Sequence, residues 1–223
     1  VGSIQASHLG WSLPGGQTLL DDVSFRVGEG EHVALVGANG AGKSTVMRLI
    51  AGTEVPTTGT ISVQGSLGVM TQLVGALDDS TTVRDLFVSL STPDLQDAAA
   101  RLDRAERQMA TGDDDGMKYA KALDLWGGVG GYEAEVLWEE CAHRVIGLPW
   151  SEIHDRSMAT FSGGEQKRMA LELLLRSEHE VLLLDEPDNF LDVPGKEWLA
   201  ERIRATPKSV LYVSHDRKLL ADS

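Results

Sequence analysis

The 223-residue chain is predicted to take an α/β fold in which a core sheet carries an antiparallel β-lobe and an inserted helical lobe. Three observations predict it. Short β-like runs separated by turn residues open the chain, a long middle stretch keeps helical spacing, and strands alternate with helices after that stretch.

In the opening stretch, β-like runs at Ile4 to His8 and Val23 to Val27 are separated by Pro14-Gly15-Gly16 and the Asp21-Asp22 pair, which predicts an antiparallel lobe. His32 to Val36 reads as a buried strand feeding a Gly-rich turn, and Val46, Met47, Leu49 and Ile50 give the next helix its apolar side until Gly52 stops it. A β-rich stretch follows from Thr60 to Thr71. Ala98, Leu102, Ala105 and Met109 then recur at helical intervals, as do Ala134, Leu137, Trp138, Cys141 and Val145, so each set marks one buried helix face. Beyond Ser162 the pattern predicts a helix from Gly164 to Ser177, a strand from Val181 to Leu184, a helix from Gly195 to Arg204 and a strand from Ser209 to Val213. That alternation argues for parallel strands. The expected division is a β-lobe and phosphate-loop core over 1–72, a helical lobe over 73–160, and the remaining α/β core over 161–223.

Twenty basic against thirty-four acidic residues leave a formal charge of −14, which argues against a broad nucleic-acid or anionic-membrane surface. Any contact with RNA is therefore expected to be local. The single Cys141 cannot form an internal disulfide, and its apolar neighbours predict packing rather than reactivity, as in a reducing compartment. No apolar run approaches the ~18 residues of a membrane span. The chain starts without Met and stops just after a motif, so it is expected to be a segment of something longer. Asp113-Asp114-Asp115, between two glycines, reads as a solvated interhelix loop with no assigned function.

Two turns have the chemistry of anion sites. In Gly37-Ala38-Asn39-Gly40-Ala41-Gly42-Lys43-Ser44 the glycines let backbone N–H groups close around phosphate oxygens, Lys43 reaches the terminal phosphates, and Ser44 faces a magnesium ion, with Thr45 beside it at the start of a helix. Far downstream, Phe161-Ser162-Gly163-Gly164-Glu165-Gln166 places a second Gly-rich turn at a helix start. Between these turns and the end of the chain, Val181 to Leu184 runs straight into Asp185-Glu186-Pro187. That puts two carboxylates at the carboxyl end of a buried strand, where α/β sheets bind ligands. Asp185 is the candidate metal ligand and Glu186 the candidate base for an attacking water.

From Trp11 through His215, these motifs and their order resemble those of the ATP-binding cassette (ABC) ATPases. Asp185 to Asp192 resembles the Asp-Glu-Pro-Thr-Asn-His-Leu-Asp string of the ABC-F group, with Asp188 and Phe190 standing where that string has Thr and His. Ser162 to Arg168 and Ser214 to Arg217 also resemble that group, with Phe161 replacing the usual Leu. The resemblance implies an ABC nucleotide-binding fold of the P-loop type, with ATP and Mg2+ as its cofactors. It further implies that Ser162, Gly163, Gly164 and Glu165 form the signature turn that completes the site of a facing cassette. Asp192 is then the interface carboxylate, His215 the histidine that holds the γ-phosphate, and Gln72 the residue that contacts metal or water and links core to helical lobe. Trp11 stands near the place of an adenine-stacking aromatic, or is a Trp packed in the β-lobe. His8, His32, His143, His154 and His179 are expected to be structural or surface residues.

ABC-F proteins carry two joined cassettes, insert no membrane span, and act on ribosomes as translation factors or antibiotic-resistance proteins. The resemblance thus implies a cytoplasmic Mg-dependent ATPase whose partners are a second cassette, the ribosome and tRNA. The alternative is the ATPase subunit of a membrane transporter, whose helical lobe would grip a membrane partner. A third reading is a regulatory module that closes on ATP without turnover.

Overall fold

The computed structural model describes residues 2–71, 77, 80–112, 116–216 and 220. Two sheets organise it. Strands β1 (Ser3–Ser12) and β2 (Thr18–Val27) pair antiparallel, and β1 pairs again with β4 (Thr58–Gln64), giving the order β2-β1-β4. The second sheet is parallel, in the order β3-β7-β6-β5, with β3 at His32–Leu35, β5 at Leu67–Met70, β6 at Val181–Asp185 and β7 at Ser209–Val213. The β-rich stretch expected at Thr60 to Thr71 is therefore two strands in different sheets, divided at Gly65 and Ser66.

The central strands show why their sequences are continuously apolar. Leu182 and Leu184 of β6, with Val210 and Tyr212 of β7, face one core, while Val181, Leu183, Leu211 and Val213 face the other. A strand covered on both faces needs apolar side chains in both registers of the two-residue repeat. The first core is filled by helices. The second holds helix α1 (Lys43–Ile50), whose Val46, Met47, Leu49 and Ile50 pack with Ile4, Leu20 and Val27 of the antiparallel sheet. In contrast, β3 is an edge strand: it is only half-buried, and Val36 just beyond it is exposed rather than buried.

Between β5 and the later core lie α2 (Val83–Ser89), α3 (Pro93–Thr111), α4 (Met117–Gly128), α5 (Gly131–Ile146) and the short α6 (Trp150–Ile153). Phe87, Trp126, Trp138 and Trp150 pack ring to ring at their centre, with centroid separations of 5.7 to 6.4 Å. Ala98, Leu102 and Ala105 point inward as the helical spacing predicts, whereas Met109, in the last turn of α3 before its C-cap Gly112, is 51 % exposed. Cys141 is fully buried, and burial pushes its thiol up to about 12, so it packs as an inert apolar group. Helix α7 (Gly163–Arg176) and helix α8 (Val193–Ala205) complete the layer against the parallel sheet. Both begin or end within two residues of the expected bounds. Among the described residues no helix is long and apolar enough to cross a membrane. The acidic triplet at 113–115 lies outside the described residues.

Candidate nucleotide site

The parallel register brings the motif residues to one edge. Leu35, Val213 and Asp185 occupy one row across β3, β7 and β6, so the turns that follow these three strands open side by side at their carboxyl ends. β3 leads into the phosphate loop, β7 into His215, and β6 into Glu186. Met70 of β5 sits one row back, opposite Leu184. Gln72, two positions further on, lies outside the described residues.

The loop from Gly37 to Gly42 is exposed except at Gly42, which adopts φ 92° and forms the N-cap of α1 without any side-chain acceptor. A side chain there is excluded twice over, since the left-handed region disfavours it and a Cβ would come within 2.8 Å of Leu20. The first amides of α1 are thus left to an outside acceptor, and a helix N-terminus of this kind favours an anion. Lys43 folds over the loop, its Nζ donating to the carbonyls of Gly37 (2.9 Å) and Ala38 (3.0 Å). Asn39, Gly40, Gly42, Lys43, Ser44, Thr45 and Glu186 line a cleft of about 320 Å³, joined by Leu19. Ala41 lies within the same loop. Thr45 is buried, and its hydroxyl accepts from Arg48 at 3.1 Å.

Asp185 is buried, and its Oδ1 has no hydrogen-bond partner. Burial raises its pKa, opposed by a hydrogen bond from Ser44. A hydroxyl and a carboxylate side by side, with one carboxylate oxygen unsatisfied, form a hard oxygen set that fits Mg2+. Among the described residues no cluster of three or more His, Cys, Asp or Glu could cage a metal.

Glu186 stands in the left-handed region at φ 51°, a conformation that costs a non-glycine residue about 1–3 kcal/mol and that surrounding contacts must maintain. Those contacts are visible. The Glu186 amide donates to Val213 (3.0 Å), and Asn189 donates through Nδ2 to Glu186 Oε2 (2.5 Å). His215 Nε2 is 4.0 Å from Glu186 Oε1, beside it but too far for a hydrogen bond. Lys167 is fully buried behind this turn. Burial pulls its ammonium down to about 8, against the opposing pull of Asp185, Glu186 and Asp188.

The second Gly-rich turn belongs to another pocket, lined by Ser162, Gly163, Gly164, Glu165, Arg168, Phe190, Leu191 and Asp192. It shares no lining residue with the phosphate-loop cleft. Ser162 and Glu165 form a capping box on α7: the Ser162 amide and hydroxyl each donate to Glu165 Oε2 at 2.7 Å, and the Glu165 amide donates back to Ser162 Oγ at 3.3 Å. Gly164 leaves room for the Phe190 carbonyl, which a Cβ would approach to 2.9 Å. Asp192 caps α8 by accepting from the Gly195 amide at 2.9 Å. Trp11 is half-buried in β1 against the second core, and the cleft wall nearby is formed by Leu19.

The sequence reading did not single out Asn189, Leu19 or Lys167. For Asn189 a signal existed, because it stands three residues after Glu186 in a turn, the spacing at which an Asn side chain reaches back. Leu19 and Lys167 are brought in only by tertiary packing.

The ABC transporter family is matched over residues 20–189. An antibiotic resistance protein of Mycobacteroides abscessus is 48 % identical over 219 residues, covering 97 % of this chain and 40 % of its own length. The energy-dependent translational throttle protein EttA of Mycobacterium tuberculosis is 32 % identical over 219 residues, covering 92 % of this chain and 37 % of its own. This chain thus spans well under half the length of these curated relatives. A solved ATP-binding subunit of an ABC transporter superimposes with a TM-score of 0.65 at 23 % identity, covering 95 % of this chain and 79 % of that one, a likeness of fold. The matched span reaches from the antiparallel sheet to the turn after β6, and on that ground this chain belongs to the ABC transporter family of ATP-binding cassettes.

Proposed function

We propose that this chain is one cassette of an ABC-F-type ATPase, which binds ATP on its phosphate loop and closes with a second cassette whose signature turn completes the site. The carrying observation is the separation of the two anion-binding turns into pockets with no residue in common, one of which holds Glu186 and one of which does not. A signature turn that does not line its own chain's cleft is available to another chain's nucleotide.

In this reading the amides of Gly40, Ala41, Gly42 and Lys43 bind the phosphates, with Asn39 and Thr45 at the loop's ends. Ser44 and Asp185 would hold Mg2+, which when bound would neutralise charge on the phosphate oxygens. Lys43 leaves the Gly37 and Ala38 carbonyls to meet the terminal phosphate. Glu186, held by Asn189, orients a water and accepts its proton, while His215 steadies the γ-phosphate. Gln72 is proposed to contact the metal or the attacking water, and Trp11 the adenine. Ser162, Gly163, Gly164, Glu165 and Asp192 act on the facing cassette. The three segments 1–72, 73–160 and 161–223 are proposed to be the β-lobe core, helical lobe and signature core of this machine.

The names of the similar proteins, an antibiotic resistance protein and a translational throttle protein, support a role in antibiotic resistance or translation. From the ABC-F resemblance we infer the cytoplasm as its place, with ribosome and tRNA as partners. The net charge of −14 restricts any RNA contact to local basic groups. The test is co-sedimentation of the complete Glu186→Gln protein with ribosomes, with and without ATP. ATP-enhanced binding is expected. Binding indifferent to ATP removes the ribosomal reading and leaves the transporter subunit as its successor.

A further inference from the structure

A cavity of about 340 Å³ lies between the helical lobe and the core, and it shares no lining residue with the phosphate-loop cleft or the signature pocket. Leu95 of α3, Val129 before α5, Leu137 and Trp138 of α5, and Leu173 of α7 give it an apolar wall. That size and lining suit a small molecule, whose orientation a few polar groups then fix.

The deepest of those groups is His179, only 3 % exposed. Its Nε2 is 2.9 Å from the Leu90 carbonyl, and a carbonyl only accepts, so Nε2 carries the proton. In the neutral ring Nδ1 is therefore an acceptor, and it is buried without a partner. The Cδ2 side of the ring is turned to Gly68, where a Cβ would come within 2.7 Å of it, so the Nδ1 side faces the other way. An acceptor buried and unpaired carries a desolvation penalty that an incoming donor removes. The neighbouring hydroxyls do not supply that donor: Ser91 donates to the Phe87 carbonyl at 2.8 Å and Ser177 to that of Leu174 at 2.9 Å.

The charge around the cavity is negative. Exposed Glu133 and Glu178 line it, and among the described residues no Lys or Arg does. Glu178 precedes His179 and acts on it electrostatically, so a donor that meets Nδ1 also sits in the field of a carboxylate. Lys208 is the opposing charge, one cation against two carboxylates, and its ammonium is tied to the carbonyls of Leu174 and Ser177.

We propose that this cavity is a binding site for a small apolar amine, whose N–H donates to His179 Nδ1 beside Glu178 and Glu133 while its apolar body lies against Leu137, Trp138 and Leu173. Such an occupant bridges α3 and α5 of the helical lobe to α7, the helix that starts at Ser162. The proposal does not depend on the ATPase reading, because none of the nucleotide residues takes part.

The test is a ligand-observed NMR titration of the complete protein with phenethylamine, and with 3-phenylpropanoate as the acidic counterpart of similar shape. Phenethylamine is expected to bind saturably with Kd of about 0.1–10 mM, the range open to so small a molecule. The carboxylate is expected to bind at least about 10-fold more weakly, because it brings a like charge to Glu133 and Glu178 and no donor to Nδ1. E133Q/E178Q, altered only at exposed positions, is expected to shrink that preference to below about 3-fold. H179F keeps a ring but removes the acceptor, and is expected to weaken amine binding at least about 10-fold. Saturating ATP is expected to leave amine binding unchanged. Absence of saturable binding, which would mean that the cavity holds water only, overturns the proposal, as does equal binding of amine and carboxylate. Unchanged binding by folded H179F, or displacement by ATP, overturns it too. Should H179F fail to fold, A134F fills the cavity from its wall with His179 intact, and amine binding that survives in A134F overturns the proposal.

Discussion

Glu186 is held where a glycine would be more comfortable, and the contacts that hold it define its task. Its left-handed backbone and its bond from Asn189 fix a carboxylate beside the phosphate loop. Replacing Glu186 with Gln removes the proposed proton acceptor while preserving shape, so single-turnover hydrolysis in the complete protein is expected to fall about 10²–10⁴-fold, with ATP affinity retained in an equilibrium binding assay. Asn189→Ala leaves the acid in place but unguided, and its kcat is expected to fall by roughly 10-fold to 100-fold, measured by the same hydrolysis assay. His179 makes a different argument, about stability. Its Nδ1 is buried without a partner, and burial lowers its pKa, opposed by the hydrogen bond that Nε2 donates to the Leu90 carbonyl at 2.9 Å and by Glu178, with Lys208 adding to the lowering. The unfolded chain takes up a proton here near pH 6.5 whereas the folded chain resists it. The stability is therefore complete above about pH 6.5 and is lost as pH falls below that value. A melting temperature measured from pH about 5 to about 7 should slope upward, and His179→Asn, whose amide can still donate to Leu90, should flatten the slope. At this scale Asp185 and Glu186 were legible because an apolar strand ending in acids is a local pattern. Asn189 was not, since its contact with Glu186 depends on where a turn is carried in space.

Helix α7 is an element with both ends tied. At its start Ser162 and Glu165 exchange hydrogen bonds, and at its end the Lys208 ammonium donates to the carbonyls of Leu174 (3.0 Å) and Ser177 (2.5 Å). The first tie satisfies orphan amides and the second orphan carbonyls. Ser162→Ala is expected to cost about 1 kcal/mol of stability, read as a drop in the urea midpoint, because the cap is lost while the helix core stays packed. A variant without that loss would mean that the capping box is redundant with the buried face of Leu171, Leu173 and Leu174. The Ser-x-x-Glu cap is a local sequence signal and could be read in advance. Lys208 could not, because it reaches the helix from the start of β7 through tertiary structure alone. The split of the β-rich stretch into β4 and β5 was hidden for a similar reason: each half has strand character, and only sheet pairing decides that they belong to different sheets.

For the whole molecule, the decisive geometry is that Glu186 and the phosphate loop share one cleft while the signature turn lines another. Phe190, which lines the pocket of the signature turn, is 59 % exposed, and Val193, next to Asp192 in the chain, is 67 % exposed, large apolar side chains left at the surface. An apolar pair at such a place favours contact with another protein surface over contact with water. If the site is completed by a second copy or a second cassette, this chain alone must meet another before it can turn over, and association is opposed by the repulsion of two bodies each bearing a formal charge of −14. ATP hydrolysis by the isolated chain is therefore expected to be slow, and its rate per chain is expected to rise in proportion to chain concentration across the low-micromolar range. Phe190→Ser should weaken that dependence without altering nucleotide affinity, because Phe190 lies outside the cleft that holds the phosphate loop. Initial rates measured over a dilution series decide the matter, and a rate per chain that does not change on dilution means that each chain carries a complete site and that the signature turn serves some other purpose.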